Sequence, residues 1–152
     1  MADPFPLPAP MRRALALARA AAAADEVPIG AVVTHEGRIV GEGENRNRRD
    51  NDPTAHAEIV ALRAAAAVLG DFRLTGCDLW VTLEPCAMCA GAISHARIAR
   101  VYYAAPDPKG GAVEQGARVF AQPQCLHRPE VYGGLGEIEA AGLLRDFFAG
   151  RR

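Results

Sequence analysis

The feature that most constrains the fold is an alternation of strand and helix patterns in the second half of the chain. The buried strand "DLWVTL", Asp78 to Leu83, precedes a helix from about Cys86 to Ala96, and "ARVYYAA" then forms the next strand. Strands that are connected through a helix run parallel, and their sheet is covered by helices on both faces. Upstream, "PIGAVVTHEGRIVGEG" predicts two strands joined by a turn at His35 to Gly37. We therefore predict an α/β fold, a three-layer α/β/α sandwich around one mixed sheet.

The remaining segments are consistent with a single domain over residues 1–152. Asp52 or Thr54 can cap a strong helix, and Gly70 ends it. The proline-rich start, about residues 1–9, is expected to be poorly ordered. The other predicted helices span about Pro10 to Asp25, Thr54 to Leu69, Glu114 to Phe120 (short) and Gly136 to Phe148.

Composition excludes several classes of protein. Half of the residues are apolar, as in a globular chain. No apolar run reaches the roughly 20 residues that a membrane span needs, and Arg19 interrupts the one stretch that resembles a secretory signal. We therefore expect a cytoplasmic protein with no membrane association.

Charge gives a weak indication of nucleic-acid binding. The net charge of −1 creates no global field that would attract nucleic acid. The basic residues are sixteen arginines and one lysine, Lys109, with local clusters in "NRNRRD" and at the C-terminus. Arginine suits phosphate contacts, but this bias fits genomic base composition equally well.

Two of the four cysteines are spaced for shared chemistry. Cys86 and Cys89 lie three residues apart at a predicted helix start, with Pro85 suited to the first turn. Unpaired N–H groups there favour the thiolate that zinc requires. Cys77 and Cys125 have no close cysteine neighbour and are expected to be small buried side chains.

Two sulfurs do not complete a zinc site. His56, in "HAE", can supply a third ligand and leave one position for water, the pattern of catalytic zinc. Glu58 can then act as the base. In a regular helix, residues two apart point about 200° from each other, so this requires His56 to lie outside the helical turns. A redox cysteine pair and a purely structural metal site remain the alternatives.

The spacing of these motifs matches a known family. His-x-Glu followed by Pro-Cys-x-x-Cys is the signature of zinc-dependent base and nucleoside deaminases. Together with "EVPIGAVV", "DPTAHAEIVALR", "DPKGGAVE" and "LLRDFFAGRR", the chain from Met11 to Arg152 resembles bacterial tRNA-specific adenosine deaminases. The resemblance implies a cytidine deaminase-like fold with a five-stranded mixed sheet, and a homodimer with active sites near the interface. It also implies conversion of the wobble adenosine to inosine in an arginine tRNA anticodon.

The resemblance also assigns roles by position. It implies one Zn²⁺ per chain, held by His56, Cys86 and Cys89, with Glu58 as the proton shuttle. Asn45 would hydrogen-bond the purine, although it could instead cap a turn. Pocket and RNA contacts would come from Pro28, Ala57, Asp107, Lys109, Phe147, Phe148, Arg151 and Arg152. As alternatives, the two phenylalanines could be core residues, Asp107 could end a strand, and the two terminal arginines could form a solvated tail.

The chain departs from the family pattern at two places. Pro106 and Pro108 flank Asp107 and can stiffen that loop, and the segment 120–134 is unfamiliar. Two rival functions stay open: a deaminase of a free base or nucleoside such as cytosine or guanine, and a non-catalytic zinc subunit that binds RNA. The partner expected is a tRNA anticodon stem-loop, with no other protein implied.

Overall fold

The computed structural model describes residues 6–151, which form four α-helices and five strands. The helices are α1 (Ala9–Ala23), α2 (Ala57–Leu69), α3 (Ala87–His95) and α4 (Glu137–Ala149). The strands are β1 (Gly30–His35), β2 (Arg38–Glu44), β3 (Cys77–Leu83), β4 (Arg100–Ala105) and β5 (Glu130–Gly133).

The strands form one mixed sheet in the order β2-β1-β3-β4-β5. β1 pairs antiparallel with both β2 and β3, while β3, β4 and β5 run parallel. The predicted hairpin and the predicted parallel pair joined through α3 are both confirmed. The "HAE" motif lies at the start of α2, which follows β2 after a loop, and "PCAMC" lies at the start of α3, which follows β3 closely.

Helices cover both faces of the sheet. One core cluster packs α2 and α3 against the sheet and includes Val33, Ala61 and Leu79. A second cluster, with Met11, Val32 and others, packs α1 and α4 against the opposite face. Successive residues of β1, Val32 and Val33, thus point into opposite cores, as the period of a strand requires. The three-layer α/β/α prediction is confirmed.

The backbone of β2 lies directly against α2. A Cβ added to Gly43 would lie 2.4 Å from the carbonyl oxygen of Ala57, and one added to Gly41 would lie 2.4 Å from that of Ala61. These positions therefore admit only glycine without a shift of the helix. This close approach fixes where α2 begins relative to the sheet.

Several local predictions were wrong. No helix spans Glu114 to Phe120 in the described chain; a single 3₁₀ turn, Val119–Ala121, lies there, because the preceding N–H groups donate to a buried carboxylate. Helix α2 begins at Ala57, not at Thr54, since the Asp52 carboxylate accepts both the N–H and the hydroxyl of Thr54 and closes a tight turn. Strand β5 lies within the unfamiliar segment.

The described chain begins with a short segment that packs on the second core cluster. The expectation of poor order for residues 1–9 falls partly on residues 1–5, which lie outside those described; Leu7 packs on the second core cluster and α1 begins at Ala9. Within residues 6–151, no helix combines the length and the apolar character that crossing a membrane demands.

Candidate active site

His56 lies at the boundary of α2 and outside its helical turns. Its backbone is extended, with φ −71° and ψ 155°, and Ala57 is the first helical residue. His56 and Glu58 can therefore turn to the same side, although they are only two residues apart. A shared site requires this arrangement, because His56 and Glu58 would point in nearly opposite directions in a regular helix.

Cys86 occupies the equivalent position before α3. Its backbone is extended (φ −74°, ψ 176°), and Cys89 lies in the first turn that follows. Pro85 therefore precedes the cap, and the prediction that it belongs to the first turn is wrong. Its carbonyl oxygen instead accepts the N–H of Ala112. Both motifs thus place their first candidate ligand, His56 or Cys86, at a helix N-cap.

The imidazole and the two thiols converge. His56 Nδ1 lies 3.6 Å from Cys86 Sγ and 3.5 Å from Cys89 Sγ. All three donor atoms lie within 4.8 Å of one another. Among residues 6–151 this is the one group of three or more such side chains close enough to hold a metal. His35, His95 and His127 lie outside it, as do Cys77 and Cys125.

These donors fit zinc. A tetrahedral zinc ion at about 2.3 Å from sulfur and about 2.0 Å from nitrogen holds those two atoms about 3.5 Å apart. The observed nitrogen–sulfur distances match this value. Two thiolates and an imidazole also leave one coordination position open, which distinguishes the group from a closed structural site.

The three side chains shift one another's pKa. Hydrogen bonds from Cys89 and His56 lower the pKa of the Cys86 thiol to about 4. The neighbouring Cys86 sulfur and burial raise the pKa of Cys89 above its ordinary value. The hydrogen bond to Cys86 raises the pKa of His56. A dication that binds both sulfurs favours their thiolate forms, because it stabilises both negative charges.

Glu58 is buried beside these donors. The residue is only 4% exposed. Burial raises the pKa of Glu58 to about 7. A carboxyl group with a pKa near the working pH can both accept and release a proton, as a general acid–base group must.

Asn45 connects β2 to the start of α2. Its side-chain oxygen accepts the N–H of Ala57 at 2.8 Å, and its own N–H donates to Ile29 O. Asn45 thus binds the first N–H of α2 from outside the helix and does not cap a turn of its own segment. The bond to Ala57 uses the amide oxygen and leaves the amide nitrogen as a donor. Ala57 and Pro28, the predicted walls of the base pocket, are both buried.

The predicted RNA contacts after β4 lie on a tightly folded loop. Asp107 Oδ1 accepts the N–H groups of Lys109 and Gly110, each at 3.1 Å. The Lys109 side chain is exposed, as are Pro106 and Pro108. We refer to residues 106–115 as the Asp107 loop. Its conformation is set by hydrogen bonds and does not depend on the prolines alone.

The two predicted aromatic contacts of α4 differ in exposure. Phe147 is 9% exposed and Phe148 is 53% exposed, and their rings meet edge to face with centroids 5.3 Å apart. The Arg151 guanidinium lies 3.5 Å from the Phe147 ring centroid, donates to Phe147 O and pairs with Asp25. Arg152 lies outside the described residues.

Two buried carboxylates near the site were not predicted. Glu26 accepts the N–H groups of Arg48 and Arg49 and the Arg49 side chain, and so shapes the arginine-rich loop. Glu84 accepts five N–H bonds from the Asp107 loop. Burial alone would raise the pKa of Glu84, but these bonds outweigh it and lower the pKa. The available sequence signal was an acidic residue directly after a buried strand.

Comparison with known proteins agrees with this geometry. Residues 8–105 match the model of the cytidine and deoxycytidylate deaminase zinc-binding region. The chain is 60% identical over 128 residues to the tRNA-specific adenosine deaminase of Agrobacterium fabrum, covering 84% of each chain. It is 42% identical to the enzyme of the same name from Rickettsia bellii, over 91% of this chain and 97% of that one.

Solved structures show the same relationship. A structure from a study of A-to-I editing by tRNA:A34 deaminases superposes with a TM-score of 0.88 and 58% identity, covering 89% of this chain and 98% of the other. A guanine deaminase from Nitrosomonas europaea superposes with a TM-score of 0.76 at 30% identity, over 98% and 86%. The chain therefore belongs to the zinc-binding cytidine and deoxycytidylate deaminase family and, within it, to the tRNA-specific adenosine deaminases.

Proposed function

We propose that this protein, acting as one deaminase domain, converts the wobble adenosine of a tRNA anticodon, that of an arginine tRNA, to inosine and ammonia by hydrolysis. The observation that carries the proposal is the convergence of His56, Cys86 and Cys89 beside the buried Glu58. The 58–60% identity to proteins that bear the tRNA:A34 and tRNA-specific names supports the choice of substrate.

We assign His56, Cys86 and Cys89 as the ligands of one zinc ion per chain. The donor distances and the open fourth position support this assignment. When bound, zinc activates a water molecule as the nucleophile for attack on a purine carbon.

Glu58 moves the protons of the reaction. Its carboxylate takes a proton from the attacking water and delivers it to N1 of the adenine ring. It then takes the remaining proton from the hydroxyl group that has been added to the purine carbon and delivers it to the amino group, which leaves as ammonia. The burial of Glu58 excludes bulk water from these transfers, so that one side chain can serve each step. The net reaction consumes one water and releases one ammonia.

Asn45 orients the base. Its oxygen is engaged by Ala57, so its NH₂ group is oriented as a donor and binds an acceptor on the purine edge. Ala57 and Pro28 form the apolar walls against which the flipped base packs. A single-stranded loop can present such a base at little unstacking cost.

The RNA rim consists of Asp107, Lys109, Phe147, Phe148, Arg151 and Arg152. Exposure supports different roles within it. Lys109 and Phe148 are exposed and can meet phosphate and base directly. Phe147 is largely buried and supports Arg151 through the contact between its ring and the guanidinium.

The enzyme acts as a homodimer through the layer formed by α2 and α3. An apolar cleft between these helices is lined by Leu62, Phe72 and Ala92, among others. Large apolar side chains exposed on or beside this layer include Val68, Leu69, Phe72, Met88 and Leu126. Met88 lies between the two cysteine ligands, so such an interface would adjoin the metal centre. Sedimentation of the purified protein at a mass of two chains is the expected result.

Since tRNA is the proposed substrate, we propose that the enzyme works in the cytoplasm.

A positional test addresses the substrate directly. An anticodon hairpin with adenosine at the wobble position should gain inosine, whereas the same hairpin with that adenosine moved one nucleotide along the loop should not. Equal editing of both hairpins would contradict the wobble assignment and leave a general adenosine deaminase of RNA.

A further inference from the structure

Glu84 is a buried acid immediately before the cysteine motif. It follows β3 and precedes Pro85 and Cys86, and it is 2% exposed. Its N–H donates to Ala105 O at the end of β4, which continues the pairing of the parallel strands. The backbone of Glu84 therefore belongs to the rigid edge of the sheet from which the metal ligands emerge.

The carboxylate of Glu84 is surrounded by uncharged donors from one segment. Oε1 accepts the N–H of Asp107 at 3.0 Å and the side-chain amide of Gln115 at 2.8 Å. Oε2 accepts the N–H groups of Val113, Glu114 and Gln115 at 3.2, 2.9 and 3.2 Å. One side chain thus joins both ends of the Asp107 loop.

The loop is wrapped closely around this carboxylate. A Cβ on Gly111 would lie 2.7 Å from Glu84 Oε1 and 2.5 Å from the Asp107 carbonyl oxygen. The N–H of Ala112 donates to Pro85 O at 2.9 Å. Tyr103 of β4 donates its hydroxyl to the Glu114 carboxylate. The middle of the loop is therefore held against the same Glu84–Pro85 unit that leads into α3.

A second carboxylate extends this order to the exposed residues. Asp107, whose N–H is bound by Glu84, accepts the N–H groups of Lys109 and Gly110 with its own side chain. Two successive hydrogen bonds, from Lys109 to Asp107 and from Asp107 to Glu84, thus connect the backbone of Lys109 to Glu84. A loop that is ordered before binding loses less conformational entropy when it contacts a ligand.

We propose that Glu84 is a positioning residue that holds the RNA-contacting Asp107 loop in register with the metal ligands of the following helix. The inference rests on the proposed function, because it assumes that this loop meets RNA. Glu84 itself contacts neither the substrate nor the reacting atoms. Its role is to make one rigid unit of the strand end, the cysteine motif and the loop.

The test uses Glu84→Gln, which keeps the size of the side chain but replaces one acceptor oxygen with an NH₂ group that opposes the N–H donors. With the wobble hairpin as substrate, we expect KM to rise about 3- to 30-fold, with kcat and zinc per chain unchanged. Gln115→Ala removes one of the five donors and should raise KM less. Asp78→Asn, at the opposite end of β3, is the matched control and should leave KM unchanged.

Amide hydrogen exchange supplies a readout that needs no RNA. In Glu84→Gln, the N–H groups of residues 107 and 113–115 should exchange faster, while those of α3 should not. Should both Glu84→Gln and Gln115→Ala keep the wild-type KM, or should Glu84→Gln lose zinc and kcat together, the positioning role is overturned. If the wild-type protein does not edit the hairpin but the loop of Glu84→Gln still exchanges faster, the proposed function is wrong, while Glu84 still holds the loop.

Discussion

The side-chain oxygen of Asn45 accepts the N–H of Ala57 at 2.8 Å, and that N–H lies between His56 and Glu58 in the chain. The bond satisfies a donor of the first turn of α2 while His56 remains extended. This leaves the imidazole outside the helix and the carboxyl inside it, so the two side chains can serve one site.

Two substitutions at Asn45 separate capping from substrate binding. Asn45→Ala should lower the free energy of unfolding by about 0.5–2 kcal/mol, because the first N–H of α2 loses its acceptor, as it would on loss of a helix cap. Asn45→Asp keeps an acceptor at a helix N-terminus and should retain most of this stability. Both should lose at least about tenfold in kcat/KM on the hairpin, since neither has the NH₂ donor. Wild-type activity in Asn45→Asp would limit Asn45 to capping.

Glu58→Gln should keep the fold, the zinc and RNA binding but lose turnover. The expected loss in kcat is about 10²–10⁴-fold, the usual contribution of general acid–base catalysis. Single-turnover kinetics with saturating enzyme measure this step without interference from binding. Near-normal turnover would show that the buried carboxyl has a structural role only.

Zinc content tests the ligand set. The purified protein should hold about one zinc per chain, and His56→Ala or Cys86→Ser should remove it. Cys77→Ala and Cys125→Ala are the matched controls: the Cys77 side chain is buried at the start of β3, and Cys125 contacts Ser94 and His127 O. Elemental analysis that finds zinc lost from either control would refute the assignment.

Phe147 and Phe148 should behave differently when each is replaced by alanine. Phe147→Ala removes a buried ring and should cost about 3–5 kcal/mol of folding stability. Phe148→Ala should leave the melting temperature nearly unchanged but weaken RNA binding by about 1–3 kcal/mol if the ring stacks on a base. The reverse pattern in thermal melts and binding titrations would show that the rim is assigned incorrectly.

The sequence predicted the parts of the structure that depend on local pattern. The strands β1 to β4, the four long helices and the convergence of "HAE" with "PCAMC" follow from hydrophobic periodicity, capping residues and ligand spacing. The fifth strand was expected only from the resemblance to the deaminase family. Strand β5 has four residues at the edge of the sheet and shows little hydrophobic periodicity of its own.

Long-range hydrogen bonds to buried carboxylates could not be predicted in this way. Glu84 binds N–H groups 23 to 31 residues further along the chain, and nothing in the pattern of residues 113–115 indicates that their donors are engaged elsewhere. The pattern therefore predicts a short helix from about Glu114 to Phe120, where the structure has only a 3₁₀ turn. Asn45 illustrates another limit: capping and substrate binding were alternatives in the sequence, but the amide has two ends and can serve both.

The most direct test of the central claim compares substrates at two salt concentrations. A hairpin with adenosine at the wobble position should be converted efficiently, and free adenosine, cytosine and guanine should not. The rate on the hairpin at subsaturating RNA should fall as salt rises, because phosphate contacts release condensed counterions. Efficient deamination of free guanine that is insensitive to salt, with no preference for the hairpin, would contradict the account and place the protein's activity with that of the guanine deaminase it also resembles.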